Sequence, residues 1–372
     1  MSDSIEFSAE QAMLLDTAQD FCRERAPIAL VREHIAEVET YDAAVWQEMA
    51  DLGWMSIAVP ESQGGLGMGL SSVVPVVECM GQYLLPSPYL ATTLAIHAIA
   101  TSGNSTQQQR WLPALAAGQV GTVALTERDG NWLLTDLECT GRPVEGAVRL
   151  AGTKCFVMDG AAAELVVVSA QLGGRPALIV VEREQIPEAA WQREIVIDET
   201  RRSYQLCLDE ITVNESQCLA AADFLSLEQG ALLLVCAEIS GGMRGCLRTI
   251  VEYLNTRKQF DRYIGSYQAL KHPAVDILLA EEAARSHVYH AATLLAAGDL
   301  RAFDTAVRIG KAHGSAAFAH AADRAIQFHG GFGFTYECDA QLFLRRALWC
   351  QHFFGDERHH RQILAPTLLD ES

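Results

Sequence analysis

The chain has 372 residues, more than the roughly 250–300 over which one hydrophobic core keeps growing, so two or three packed units are expected. Apolar residues make up 49% and charged residues 20%, the composition of a globular protein with ample material for a core. A formal net charge of −19 excludes the clustered basic surface that nucleic acid requires and disfavours an anionic membrane. The ten cysteines form no CxxC pair, and Cys207, Cys236 and Cys246 sit in apolar company, as reduced, buried thiols do. The N-terminus shows no basic, apolar export pattern, and no run approaches the ~20 apolar residues of a membrane span. These features place the expectation in the cytoplasm, without membrane association.

Helical patterning opens the chain. Ser8 and Gln11 have the spacing of a capping box, followed by apolar residues at Met13, Leu14, Ala18 and Phe21. Pro60 and the glycine-rich stretch from Ser62 to Gly67 break this half into blocks, with further helices expected over 71–83 and 93–99. The middle third changes character. Short apolar or alternating runs at 120–125, 147–150, 165–169, 177–181, 194–197 and 204–213 are separated by glycine punctuation such as Gly152 and Gly173-Gly174. That pattern predicts a small antiparallel β-domain. From Leu225 helical periodicity returns, with one long helix over 230–256. The expected architecture is α+β: an N-terminal helical domain over 1–118, a middle antiparallel β-domain over 119–224 and a C-terminal helical bundle over 225–372.

Two segments carry the chemical information. The first, Tyr253 to Gln268, reads YLNTRKQFDRYIGSYQ, a helix end followed by a turn and a new helix start. Arg257 there suits a solvated cation against the helix dipole. The second, Gln327 to Asp356, reads QFHGGFGFTYECDAQLFLRRALWCQHFFGD and opens on Gly330, Gly331 and Gly333, where the backbone can approach something closely. Together with the loop VPESQGGLG at 59–67, these segments resemble the signatures of the acyl-CoA dehydrogenase family across nearly the whole chain.

The resemblance implies that fold and an FAD-dependent oxidoreductase that desaturates an acyl-CoA thioester. It implies that Arg257, Phe260, Gln268, Gln327, Gly330 and Gly331 hold the dinucleotide, the glycine run reaching it from a neighbouring subunit. A guanidinium clamps pyrophosphate bidentately, and glycine amides meet phosphate unobstructed. Asp261 departs from the family's usual glycine. Thr126, Phe156 and Met158 fall where the family contacts the flavin ring, but the Ser-Asp after Thr126 is missing and Met158 replaces a hydroxyl residue.

The catalytic base departs further. The family's usual glutamate lies nine residues after the arginine matching Arg345, which here is Phe354; the alternative position on the long helix is Ala231. Asp356 and Glu238 are the remaining candidate bases. Asp356 equally suits a helix cap, and Glu238 a helix-packing ion pair. The expectation is a subunit of a heteromeric enzyme whose partner supplies the base. Two alternatives stay open: a self-sufficient homo-oligomer using Asp356 or Glu238, and a catalytically silent or oxidase relative. The resemblance further implies a bulky or steroid acyl-CoA substrate, a homo- or heterotetramer with another acyl-CoA dehydrogenase subunit, and electron-transfer flavoprotein as partner. His287 and His290 on one helix, without a third histidine nearby, read as surface packing rather than metal ligands. His359-His360 reads as a solvated face.

Overall fold

The computed structural model describes residues 9–36 and 41–369. Ser8, and with it the expected capping box, lies outside the described residues. Contacts gather the chain into two compact units. One comprises Met1–Glu33, Val74–Leu85 and Leu232–Ser372; the other comprises His34–Val73 and Pro86–Ala231.

The first unit is a helical bundle. It contains α1 (Ala9–Arg25), most of α2 (Ile28–Ala36) and, after the intervening α3 (Ala43–Asp51), α4 (Val74–Tyr83). Later in the chain come α7 (Phe224–Thr256, from Leu232 on), α8 (Gln268–Ala297), α9 (Leu300–His329), α10 (Ala340–His352) and α11 (Glu357–Leu369). Of the apolar residues expected to line α1, Met13 is exposed, Leu14 and Phe21 are half-buried and Ala18 is buried, as is Cys22, which the expectation did not include. Helix α9 packs against α8, α10 and α11. Helices α4 and α7 cross closely because glycine stands at the crossing. A Cβ on Gly81 would lie 2.2 Å from the Glu238 carbonyl oxygen, and one on Gly241 would lie 1.7 Å from that of Glu78. By length and composition α7 could cross a membrane, which the sequence did not suggest; 89% of its most apolar window is buried inside the protein, making it a core helix.

A second polar cluster joins three helices of this bundle. Glu78 of α4 is buried and accepts from Ser240 of α7 (3.0 Å) and from Arg285 (2.9 Å) and Tyr289 (2.5 Å) of α8. Arg244 reaches the buried Glu281 at 2.7 Å. Burial raises the Glu281 carboxyl, with Arg244 opposing.

The second unit combines α3, α5 (Tyr89–Ser102) and α6 (Ser105–Ala116) with the strands. Asn104 and Gln107 form a complete capping box at the start of α6. Strands β1 (Gly121–Ala124), β2 (Thr140–Val144), β3 (Ala147–Ala151), β5 (Leu165–Leu172), β6 (Arg175–Glu182) and β9 (Thr212–Asn214) form one sheet. Strands β4 (Thr153–Met158), β7 (Trp191–Glu194) and β8 (Ser203–Cys207) form another. The larger sheet is mixed rather than antiparallel throughout: β5 runs parallel to both β1 and β2. Both of those strands reach β5 through intervening chain rather than a hairpin, which is what parallel pairing requires. Residues 165–170 of β5 are buried on both faces, hence the apolar run from Leu165 to Val168.

Three strand expectations shift. The run 194–197 ends as strand at Glu194, leaving Ile195 exposed. The run 204–213 splits into β8 and β9 because Glu210 turns the chain with φ +73°. Strands β2 and β4 went unread, since β2 is polar and exposed along much of its length and β4 carries a bulge. In the loop at 59–67, Gly65 is required by packing, because a Cβ there would sit 2.0 Å from the Val59 carbonyl oxygen.

Candidate functional site

The first group of candidate residues gathers at one end of the helical unit. Arg257 follows directly on α7 and its exposed guanidinium makes no hydrogen bond or ion pair with another described residue. Behind it, Lys258–Gln259 (β10) and Arg262–Tyr263 (β11) form a hairpin whose two-residue tip is Phe260-Asp261. Both tip residues have positive φ, +53° and +59°, the geometry of a tight hairpin turn. Asp261 therefore occupies a backbone position where glycine is cheaper and asparagine or aspartate is tolerated, which accounts physically for the family's usual glycine. Phe260 is 88% exposed at the tip, and Gln268 opens α8 with its side chain exposed.

The glycine turn after α9 lies beside this hairpin's root. His329 stacks on Tyr253 of α7, ring centroids 4.1 Å apart, and its Nδ1 lies 2.7 Å from the Ala325 carbonyl. Tyr253 precedes Arg257 by one helical turn, so the stack sets Gln327, Gly330 and Gly331 near the arginine. Neither aromatic was singled out in the sequence. The three glycines have different reasons to be glycine. Gly330 has φ +60°, and a Cβ on Gly333 would lie 2.2 Å from the Ile326 carbonyl oxygen. A Cβ on Gly331 would meet nothing within 4 Å. Nothing inside the fold demands glycine at 331, so its bare backbone faces outward, as do the exposed Gln327 and Arg257 side chains. This donor set suits the diphosphate of a dinucleotide.

The second group lies in the other unit. Cys155 N donates to Thr126 O at 2.9 Å, which ties β4 to the segment after β1. Beneath it, the buried Lys154 Nζ reaches Glu127 Oε1 (2.7 Å), Ser169 Oγ (2.9 Å) and Leu125 O (3.2 Å). Glu127 also accepts from the backbone N–H groups of Glu138 and Cys139. Burial opposes the Glu127 charge, but these bonds outweigh it and its pKa is lowered; burial likewise pulls that of Lys154 down. Sequence reading passed over this pair, although a lysine inside an apolar strand is a signal that a partner must exist.

The β4–β8 register slips between Lys154 and Val157, and Phe156 is pushed out at this bulge with φ +55° and its ring half exposed. Glu194 Oε2 holds it by accepting from Phe156 N and Ser203 Oγ, both at 2.8 Å. Met158 is buried, and its carbonyl accepts from Thr122 Oγ1 at 2.6 Å. Next to it Asp159 is buried, and burial raises its carboxyl to about 7 against the opposing Arg201 and Arg202. An exposed aromatic face and a half-buried threonine suit a flat ring system, but no side-chain hydroxyl stands at Met158.

Both candidate bases have structural work. Glu238 is buried against the equally buried Arg346 of α10, with Nη1 2.5 Å from Oε1. Asp356 Oδ1 accepts from His359 N at 2.8 Å, the bond of an N-cap on α11. At the position matching the family's base, Phe354 has φ +55° and packs edge-on against Phe353 (4.6 Å), which stacks on Trp349 (4.5 Å). His360 is fully buried, contrary to the solvated face expected of His359-His360. His287 pairs edge-on with His313 at 5.5 Å, and among the described residues no three metal-ligating side chains converge.

The helical unit thus carries an exposed set of donors at one end, the sheet unit carries the exposed Phe156 ring, and the chain runs in helix–sheet–helix order. Comparison with known proteins supplies the family. Residues 8–119 match the acyl-CoA dehydrogenase N-terminal domain and residues 226–369 the acyl-CoA dehydrogenase C-terminal domain. The chain is 31% identical to acyl-CoA dehydrogenase IpdE2 of Mycobacterium tuberculosis over 91% of each protein. It is 30% identical to acyl-CoA dehydrogenase FadE12 of the same organism over 81% of each. Among solved structures, a variant of the steroid acyl-CoA dehydrogenase Tcur3481-Tcur3483 is 25% identical with a TM-score of 0.87, covering 97% of this chain and 98% of that one. The ChsE4-ChsE5 complex of Mycobacterium tuberculosis shares the fold, with a TM-score of 0.90 at 24% identity over 99% of each chain. The chain belongs to the acyl-CoA dehydrogenase family, oxidoreductases that use FAD to dehydrogenate acyl-CoA thioesters.

Proposed function

We propose that this chain is one subunit of a heteromeric acyl-CoA dehydrogenase in which a sister subunit supplies the catalytic base. The observation that carries the reading is the contrast between two sites in the helical unit. At one end, Arg257, Gln268, Gln327 and Gly331 stand exposed and unengaged, as a dinucleotide grip would. By contrast, Phe354 stands where the resemblance expects the base, and the two candidate carboxylates, Glu238 and Asp356, are committed to Arg346 and to the α11 cap. The relative Tcur3481-Tcur3483 is named for two components, and ChsE4-ChsE5 is a complex.

When bound, FAD supplies the hydride acceptor. The chain's own contribution would be binding: Arg257 would offer its guanidinium and Phe260 its ring to one dinucleotide, and the amide at Gly331 would approach a phosphate, from the neighbouring subunit, without a side chain in the way. Thr126 and Phe156 would serve the flavin ring, to which Met158 offers no hydroxyl. Phe354 cannot take the α-proton, because a phenyl ring has no basic atom. We assign the substrate to bulky, steroid-like CoA thioesters, a class supported by the steroid relative. Electron-transfer flavoprotein is the proposed electron acceptor.

Co-expression with a second acyl-CoA dehydrogenase subunit from the same genome, followed by a flavin-to-chain ratio and a turnover assay, tests the proposal. The chain alone should hold little flavin and show no turnover, and the co-purified complex should show both. Stoichiometric flavin with ordinary turnover in the isolated chain would refute the heteromeric reading and return Asp356 or Glu238 to candidacy.

A further inference from the structure

The turn that carries Phe354 is held from inside the bundle by groups that touch only its backbone. Lys311 of α9 is fully buried, and its three donors are all used: Nζ lies 2.6 Å from Gly355 O, 3.1 Å from Gln351 O and 3.0 Å from Ser315 Oγ. His360 of α11, equally buried, places Nε2 2.9 Å from Phe354 O. A carbonyl only accepts, so Nε2 carries a hydrogen. Nδ1 lies 3.5 Å from Arg308 Nη1, a nitrogen that only donates, so Nδ1 is the acceptor and the ring is neutral. Burial, then the cations of Lys311 and Arg308 and the neighbouring His359, push the His360 pKa down to about 3, in keeping with that tautomer. Arg308 is itself fixed by Asp304 at 2.9 Å.

The turn needs such support. Phe354 sits in the left-handed region, φ +55°, which is strained for a residue with a bulky side chain. Gly355 has φ +101°, and a Cβ there would lie 2.5 Å from the His359 ring. A carbonyl on a surface turn is ordinarily satisfied by water. Here a buried cation and a buried neutral imidazole are spent on three carbonyls within five residues, while Phe353 is left to stack on Trp349 and Phe354 to pack edge-on against Phe353.

We infer that Lys311 and His360 are positioning residues, a clamp that locks the 351–355 backbone and presents the Trp349–Phe353–Phe354 ledge as a rigid wall. The clamp stands on distances within one unit, whichever subunit supplies the base. That the wall borders the acyl thioester rests on the proposed function.

The test compares the purified full chain with Lys311→Met, His360→Phe and His360→Gln. The glutamine amide nitrogen can stand in for Nε2–H; phenylalanine cannot. Amide exchange of residues 353–356 should accelerate at least tenfold in Lys311→Met and His360→Phe, while α9 keeps its protection. The near-ultraviolet dichroism of the Trp349–Phe353 stack, identified by its loss in Trp349→Phe, should fade with it, and His360→Gln should restore both. Unchanged exchange at the turn, equal acceleration throughout the bundle, or His360→Gln behaving as His360→Phe would overturn the clamp. Should Lys311→Met fail to fold, the His360 pair decides. In the co-purified complex, KM for a steroid-side-chain CoA thioester should rise severalfold in His360→Phe with kcat within twofold. A loosened turn with unchanged KM would keep the clamp and sink its placement at the thioester.

Discussion

Replacing Glu238 with glutamine separates a structural carboxylate from a catalytic one. In the native bundle Glu238 and Arg346 form a buried pair, 3% and 1% exposed, with 2.5 Å between Oε1 and Nη1. Neutralising one partner leaves the other as an uncompensated charge in a dry interior, a loss of about 3–5 kcal/mol. If the 372 residues unfold together, an unfolding entropy of about 2.1 cal/mol/K per residue makes this a fall of about 4–6 °C in Tm. Glu238→Leu combined with Arg346→Met removes both charges and fills the space, and should recover most of the loss. Scanning calorimetry of the two single variants and the double variant measures the coupling. A Glu238→Gln protein of native stability, or a double variant as destabilised as the sum of the singles, would refute the ion-pair account. Lost turnover in a complex of unchanged stability would make Glu238 catalytic instead.

Three further outcomes follow from particular distances. Asp356→Asn should leave stability within about 0.5 kcal/mol, and Asp356→Ala should cost about 1 kcal/mol through the α11 cap, with turnover of the complex unchanged in both; denaturant titration and a steady-state assay check this. Gly331→Ala should be neutral for stability, since its Cβ meets nothing within 4 Å, yet weaken FAD binding in a fluorescence titration. Gly333→Ala should destabilise by about 1–3 kcal/mol because its Cβ would lie 2.2 Å from the Ile326 carbonyl. His360 has its folded pKa lowered from 6.5 to about 3, so the unfolded chain binds more protons between those values. Stability from this group is full above pH 6.5 and is lost as pH falls toward 3, by roughly 4–6 kcal/mol in total. His34, lowered to about 4, acts in the same direction, whereas Asp159, raised to about 7, acts oppositely. Comparing acid unfolding of His360→Gln with the parent isolates the His360 share; an identical pH dependence would contradict the neutral, clamped imidazole.

Much of the architecture was written locally. Glycine punctuation and alternating runs announced β1, β3, β5 and β6, and sustained helical periodicity announced α7, because those signals depend on neighbours a few residues away. The family resemblance likewise rests on contiguous segments, and it located Arg257, the glycine turn and Phe354 before any packing was visible. That residue 354 is a phenylalanine, without a basic atom, is a covalent fact that no fold can alter.

Tertiary structure decided which side chains are free to act. Asp356 and Glu238 look alike in sequence, and only packing commits one to a helix cap and the other to Arg346. Lys311 and His360 read as an ordinary lysine and a solvated histidine until α9 and α11 bring them onto carbonyls of the same turn. Gly331 and Gly333 are equivalent letters in one run, yet one is demanded by the Ile326 carbonyl and the other is left open. Partner, burial and backbone conformation arise from residues tens or hundreds of positions apart. The stretch from Gln327 to Asp356 therefore identified the family by itself, and only the fold showed that its first half is open to a ligand while its last turn is pinned shut.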